Sequence, residues 1–186
     1  MLSLAQLNPS LLFFYIFPPH FLRLLAKIVN FSRHGEFFRS YPAPSDIFCI
    51  GIEGDRLAFG CKGNRDSPSA GILKLGCDRM PQVVFIRTRD NDPIISLSFN
   101  HKFLILGDTN GELHIIQVEN LVFPESGEVT VELGSEGDSH GLAFVGTIRT
   151  HEYRAFIWAC KTDPYRIFSG DETGKIIVHD FLMFED

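Results

Sequence analysis

RIFSGDETGKIIVHDF, Arg166 to Phe181, nearly repeats FLILGDTNGELHIIQV, Phe103 to Val118, 63 residues upstream. In each copy a short apolar strand ends at a glycine, Gly107 or Gly170. An aspartate-led turn then runs to a second glycine, Gly111 or Gly174, and another apolar strand follows. This predicts a β-hairpin, because glycine accepts the positive φ of such a turn and Asp108 or Asp171 can accept hydrogen bonds from turn amides. Outward from the hairpin, Ile47–Gly60, IFCIGIEGDRLAFG, aligns without a gap on Ile94–Gly107, IISLSFNHKFLILG, at an offset of 47 residues. A third version, Ala155–Gly170, AFIWACKTDPYRIFSG, carries two extra residues in its first turn. A period of roughly 40 to 60 residues with three or four short strands per unit points to blades of a β-propeller, since solenoid repeats tend to be shorter or helical. An ordinary antiparallel meander with similar turns is the plainer alternative.

At Thr150-His151 and His179-Asp180 the chain resembles the WD-repeat (β-transducin repeat) propellers, whose blades open near a Gly-His pair and close on a Trp-Asp pair. The resemblance covers roughly residues 45–186, with units near 45–80, 81–118 and 142–183 and an acidic insertion at 119–141. It implies an all-β fold of about three blades, with His151, Ser169, Asp171, Gly174 and Asp180 in structural positions. In that family a hydrogen-bond network joins the His, a strand Ser or Thr, the turn Asp and the Trp. Here Thr173 stands in the turn Asp position and His179 in that of the Trp, so a weakened or missing network is expected. The other units depart further, with Asp90 where the second would carry its His and about seven additional residues between Gly60 and Gly71 in the first. Propellers generally use four to eight blades, and closure removes unpaired strand edges. Three blades leave two open edges, so we expect an incomplete version of a longer protein, ahead of a ring completed by a second chain or by strands too divergent to recognise.

Composition is that of a soluble globular protein, 45% hydrophobic and 22% charged with a net charge of −6. Residues 1–43 hold Arg23, Lys27, Arg33 and Arg39 against Glu36, which leaves 13 basic and 22 acidic residues, or −9, for the rest. Phosphate contact needs clustered Lys or Arg, so a nucleic-acid partner is not expected. Cys49, Cys61, Cys77 and Cys160 show neither a CxxC pair nor metal spacing and read as reduced core thiols, which suits the cytoplasm or nucleus. The sequon Asn30-Phe31-Ser32 would matter only in the secretory pathway.

The first 22 residues contain no charged side chain and include LLFFYIF, Leu11–Phe17. Pro9 and Pro18-Pro19 interrupt the run, and its apolar length is far below the ~20 residues that span a bilayer. Leu7, Leu11 and Leu12, then Phe21, Leu22, Leu24, Leu25 and Ile28, give two helical-period stretches, so residues 1–43 are expected to form a short apolar helical segment. Its pattern is similar to a shortened F-box, with Leu7, Pro9, Leu11, Leu12, Ile16 and Phe17 on the opening helix and Phe21, Leu22 and Leu24 on the next. A helical pair packed on the propeller is the plainer reading. The joint resemblance to F-box/WD-repeat proteins implies a substrate receptor of an SCF-type ubiquitin ligase, with Leu12, Ile16 and Phe17 seating in a Skp-type adaptor and the propeller holding a substrate protein.

Chemistry on the chain itself is not expected. The seven histidines show no HExxH pairing, and GDETGK, Gly170–Lys175, is one residue short of a phosphate loop, has Ile176 where a hydroxyl would bind magnesium, and leads to a strand. No nucleophile elbow places Ser, His and Asp together. We therefore expect no enzyme activity, cofactor or metal. The expected function is a protein-protein interaction scaffold with binding loops at residues 61–70 and 119–141. A membrane-anchored or secreted propeller tethered by its hydrophobic N-terminus is the alternative, and a propeller hydrolase a distant third.

Overall fold

The computed structural model describes residues 11–13, 27–31, 37–76, 81–134, 140–149, 151–163 and 165–180. It is all-β, and no helix occurs among the described residues. The chain divides into two compact units, residues 1–46 and 47–186. In the first, β1 (Leu11–Phe13), β2 (Lys27–Phe31) and β3 (Phe37–Pro42) form an antiparallel sheet in that order. The expected helical segment is thereby corrected. Leu12 is paired with Asn30 and Ile28 with Tyr41 in strand register, while Ile16, Phe17, Phe21, Leu22 and Leu24 lie outside the described residues. Leucine and phenylalanine serve strands as well as helices, so their spacing in short apolar runs does not discriminate the two.

The second unit contains three sheets. The first is built from β4 (Ile47–Glu53), β5 (Arg56–Cys61), β6 (Ala70–Lys74) and β7 (Gln82–Arg87) in meander order. The second is β8 (Ile94–Phe99), β9 (Phe103–Asp108), β10 (Glu112–Gln117) and, outermost, β12 (Ala143–Arg149). The third is β13 (Ile157–Thr162), β14 (Arg166–Asp171) and β15 (Ile176–Asp180). Thus β7 and β12, placed by the sequence at the head of the second and third units, instead join the preceding sheets as their fourth strands.

The repeat is exact at the level of register. Cys49 faces Gly60, Ser96 faces Gly107 and Ala159 faces Gly170, and one bulge residue precedes each pair. Side-chain packing repeats too. Ala58, Ala70 and Ile72 of the first sheet share a core with Ile94, Leu104 and Leu106 of the second. Ile105, Leu113 and Ile115, on the other face of the second sheet, share one with Ile157, Cys160 and Ile167 of the third. The second sheet therefore has a leading face toward the first sheet and a trailing face toward the third, and the corresponding faces of the other two are named alike. At the seams the glycines lack the room for a side chain: a Cβ on Gly60 would lie 2.6 Å from Ile94 Cγ2, and one on Gly107 would lie 2.9 Å from Ile157 Cγ2.

Residues 119–141 do not form the solvated loop expected of an acidic insertion. Gly127–Glu132 is a strand, β11, that leaves the second sheet, pairs in parallel with β7 of the first, and returns to β12. Its alternation explains this. Val131 is buried and Val129 half-buried against the core, whereas Glu128, Thr130 and Glu132 face solvent. The loop's base is tied by the Val122 amide to the His140 carbonyl at 2.8 Å.

Candidate functional site

Ser169 and Asp171 alternate along β14 and so share its leading face, both buried. Asp171 opens the turn to β15. Its Oδ1 accepts the amides of Thr173 (2.9 Å) and Lys175 (3.0 Å) and the Thr173 hydroxyl (2.7 Å), with Gly174 at φ 84° completing the turn. Oδ2 lies 2.8 Å from His151 Nδ1, and His151 Nε2 lies 2.9 Å from Ser169 Oγ. A neutral imidazole protonated on Nδ1 satisfies the set, donating to Asp171 and accepting the Ser169 hydroxyl. The Thr173 hydroxyl first, then the Lys175 amide, His151 and the Thr173 amide, hold the Asp171 carboxyl down at about 2.

The expected weakening of this network is corrected. Asp171 itself, two residues before Thr173, supplies the turn carboxylate. His179 does not replace the expected indole: it sits opposite Ile167, its buried Nε2 has no partner, and burial, then His151, lowers its pKa. Asp180 ends β15 opposite Arg166, at the other end of the hairpin from Asp171.

A second histidine–aspartate couple occupies the equivalent turn and escaped the sequence reading. Asp108 Oδ1 accepts the amides of Asn110 (2.8 Å) and Glu112 (2.9 Å), and its Oδ2 lies 3.2 Å from His114 Nε2. His114 Nδ1 meets Thr147 Oγ1 at 3.0 Å. Here the imidazole comes from β10 rather than from a preceding loop. The available signal was the turn position that Asp108 shares with Asp171. Asp108, Glu112 and His114 place ligand-type atoms within 4.8 Å of one another, yet the Asp108 oxygens are occupied as above and Glu112 pairs with Arg149.

The line Ser169–His151–Asp171 has the connectivity that activates a serine nucleophile. Burial decides against that use. Ser169 is 2% exposed and faces the second sheet, so a carbonyl carbon reaches its Oγ only if the seam opens. What the couple does instead is anchor a segment. The His151 amide donates to the Gly111 carbonyl and the Arg154 amide to the Asn110 carbonyl, each at 3.3 Å, so residues 151–154 ride on the β9–β10 turn.

That anchored segment displays aromatic and cationic side chains to solvent. Tyr153 is 63% exposed, with the guanidinium carbons of Arg149 and Arg154 at 5.6 and 5.2 Å from its ring. Trp158, 60% exposed, pairs with Phe156 at a ring separation of 6.0 Å. Close by, a cleft of about 770 Å³ lies between the outer strands of the first two sheets, lined by Arg87, Arg89, His114, Glu132, Phe144 and Thr147. The loop at residues 61–70 is held rather than open: Asn64 Oδ1 accepts the Asp66 and Ser67 amides, and Asn91 Nδ2 reaches the Asn64 and Ser67 carbonyls.

No protein-family model and no curated protein matches the chain. Solved structures similar to it include the computationally designed Ika4 protein, with 12% identity, a TM-score of 0.54, and coverage of 83% of this chain and 79% of that one. Another is the computationally designed Ika8 protein, with 12% identity and a TM-score of 0.56, matching 95% of this chain but 44% of its own length. At such identities the likeness concerns the fold alone.

Proposed function

We propose that the chain is a non-catalytic protein-binding scaffold of β-propeller type, and that residues Arg149–Trp158 form its contact surface. The observation that carries this reading is the exposed Tyr153, Arg154, Phe156 and Trp158 on a backbone fixed by the buried His151–Asp171–Ser169 set. Exposed Tyr, Trp and Arg on a rigid support are the side chains that dominate protein interfaces, because they bring large contact area at small entropic cost. The propeller-type reading is supported by three sheets of equal register whose first strands lie side by side, β4 beside β8 and β8 beside β13. The WD-repeat resemblance gains support from the same His, Ser and Asp. The thiols of Cys49 and Cys160 fit a reducing compartment. The ligase-receptor form of the proposal loses its helical anchor at Leu12, which lies in a strand.

The test compares wild type with Tyr153→Ala, Trp158→Ala and the remote Glu128→Ala as bait in quantitative capture from a cell extract, with melting curves in parallel. A partner retained by Glu128→Ala and reduced at least about 30-fold by either aromatic variant, at unchanged stability, is expected for a contact worth ~2 kcal/mol. Equal capture by all baits, or labelling of Ser169 in the folded chain by a fluorophosphonate probe, sinks the reading.

A further inference from the structure

Ile176 and Val178 give the trailing face of the third sheet an apolar patch with the exposure of a surface. Register equates Ala70, Leu113 and Ile176, and likewise Ile72, Ile115 and Val178. The first two members of each set are 0–4% exposed under the sheet that follows, whereas Ile176 is 75% and Val178 52% exposed. Gly60 and Gly107 are overlain by Ile94 and Ile157, but a Cβ on Gly170 would meet nothing within 4 Å. Phe168, opposite Val178, extends the patch, and its counterparts Ala58 and Ile105 are 0% and 1% exposed.

We infer that this face is a docking surface for one further sheet of the same repeat, carried on a partner polypeptide and opening with an Ile that lies over Gly170. The occupant is specified by the two observed seams. Each incoming sheet brings an isoleucine at the head of its first strand and aliphatic side chains such as Leu104 or Ile167 on its second, set against a glycine and two aliphatic positions. At both observed seams the complement of such a face is another sheet, packed face to face. Two features are not reproduced: exposed Lys161, opposite Phe168, stands where the first two sheets carry Gly51 and Ser98, and one polar contact is missing. Cys49 Sγ and Ser96 Oγ reach the incoming carbonyls of Ile94 (3.8 Å) and Ile157 (2.6 Å), and Ala159 has no donor to do so. The inference rests on the propeller-type reading but not on the Arg149–Trp158 surface.

The probe is the full chain extended after Asp186 by a flexible linker and a second copy of residues 93–149, which presents the leading face of the second sheet. The extended chain is expected to stay monomeric, melt several degrees above the unextended one, and lose 8-anilinonaphthalene-1-sulfonate binding. Gly170→Val in the extended chain, which fills the seat of the incoming Ile, is expected to abolish both changes while leaving the unextended chain at least as stable as wild type. An extension without effect, or effects that survive both Gly170→Val and Val178→Asp, overturns the inference. So does closure of this face by self-association, seen as a dimer in sedimentation that Val178→Asp dissociates. Loss of partner capture by Tyr153→Ala leaves these readings unaffected, so the two proposals fail separately.

Discussion

His151 shows how one buried side chain fixes a surface. Its side chain is 0% exposed and bonded at both nitrogens, so His151→Ala leaves the Ser169 hydroxyl and the Asp171 carboxylate without it. We expect a loss of about 1–3 kcal/mol in urea unfolding, against less than ~0.5 kcal/mol for His101→Ala on an exposed turn. Proton linkage adds a signature. The folded Asp171 carboxyl, at about 2, lies below its ordinary ~3.9, so its contribution is complete above pH ~4 and disappears as pH falls toward 2. His179 is also depressed. Its burial favours the neutral imidazole, so this contribution is complete above the ordinary value of ~6.5 and is lost as pH falls through the lowered folded value. Urea midpoints measured from pH 8 to 2 should therefore decline in two stages, and His179→Phe should remove only the upper one. At Cys49 and Cys160 burial pushes the thiols up to about 12. Both should resist iodoacetamide at pH 8 in the folded chain and react once urea unfolds it.

At the scale of strands, equivalent glycines should respond with opposite sign. Gly107→Ala drives a methyl into Ile157 and should cost about 1–3 kcal/mol, whereas Gly170→Ala enters open space in a strand and should stabilise by about 0.5–1 kcal/mol. Thermal denaturation of the pair reads this directly. In β11, Val131→Asp should cost more than ~2 kcal/mol by burying an unpaired charge, and Glu128→Ala on the opposite face should change stability by less than ~0.5 kcal/mol. These same strands mark what could be read from the sequence. The hairpins at 103–118 and 166–181, with Asp108 and Asp171 as turn acceptors, were legible because their turns need glycine and aspartate at fixed offsets, whereas His151 and Ser169 were named only through the WD-repeat resemblance. β11 was hidden, since six acidic residues mask a period-two pattern of only Val129, Val131 and Leu133. β1 and β2 were misread because brief leucine-rich runs satisfy either period. Trp158 was missed for another reason: a bulge between Ile157 and Ala159 breaks the alternation that would have placed it.

For the molecule as a whole, three sheets of one pattern are unequally covered. Ile176 and Val178 lie on an outer strand of the third sheet, where an exposed apolar face favours non-specific aggregation at high concentration. Replacing both with threonine should keep the strand and raise the concentration at which light scattering first increases. The sheets are also unequally joined. β11 sews the second sheet to the first with a full ladder of backbone bonds, while the third meets the second through the Ile157 and Ile105 cluster, the bond from Ser96, the Thr162 amide on Ser98, and the His151 and Arg154 amides on the β9–β10 turn. Under a stretching force the two joints would therefore yield at different loads. The third sheet would detach first as a discrete step, and the sewn pair would hold until its parallel ladder was sheared.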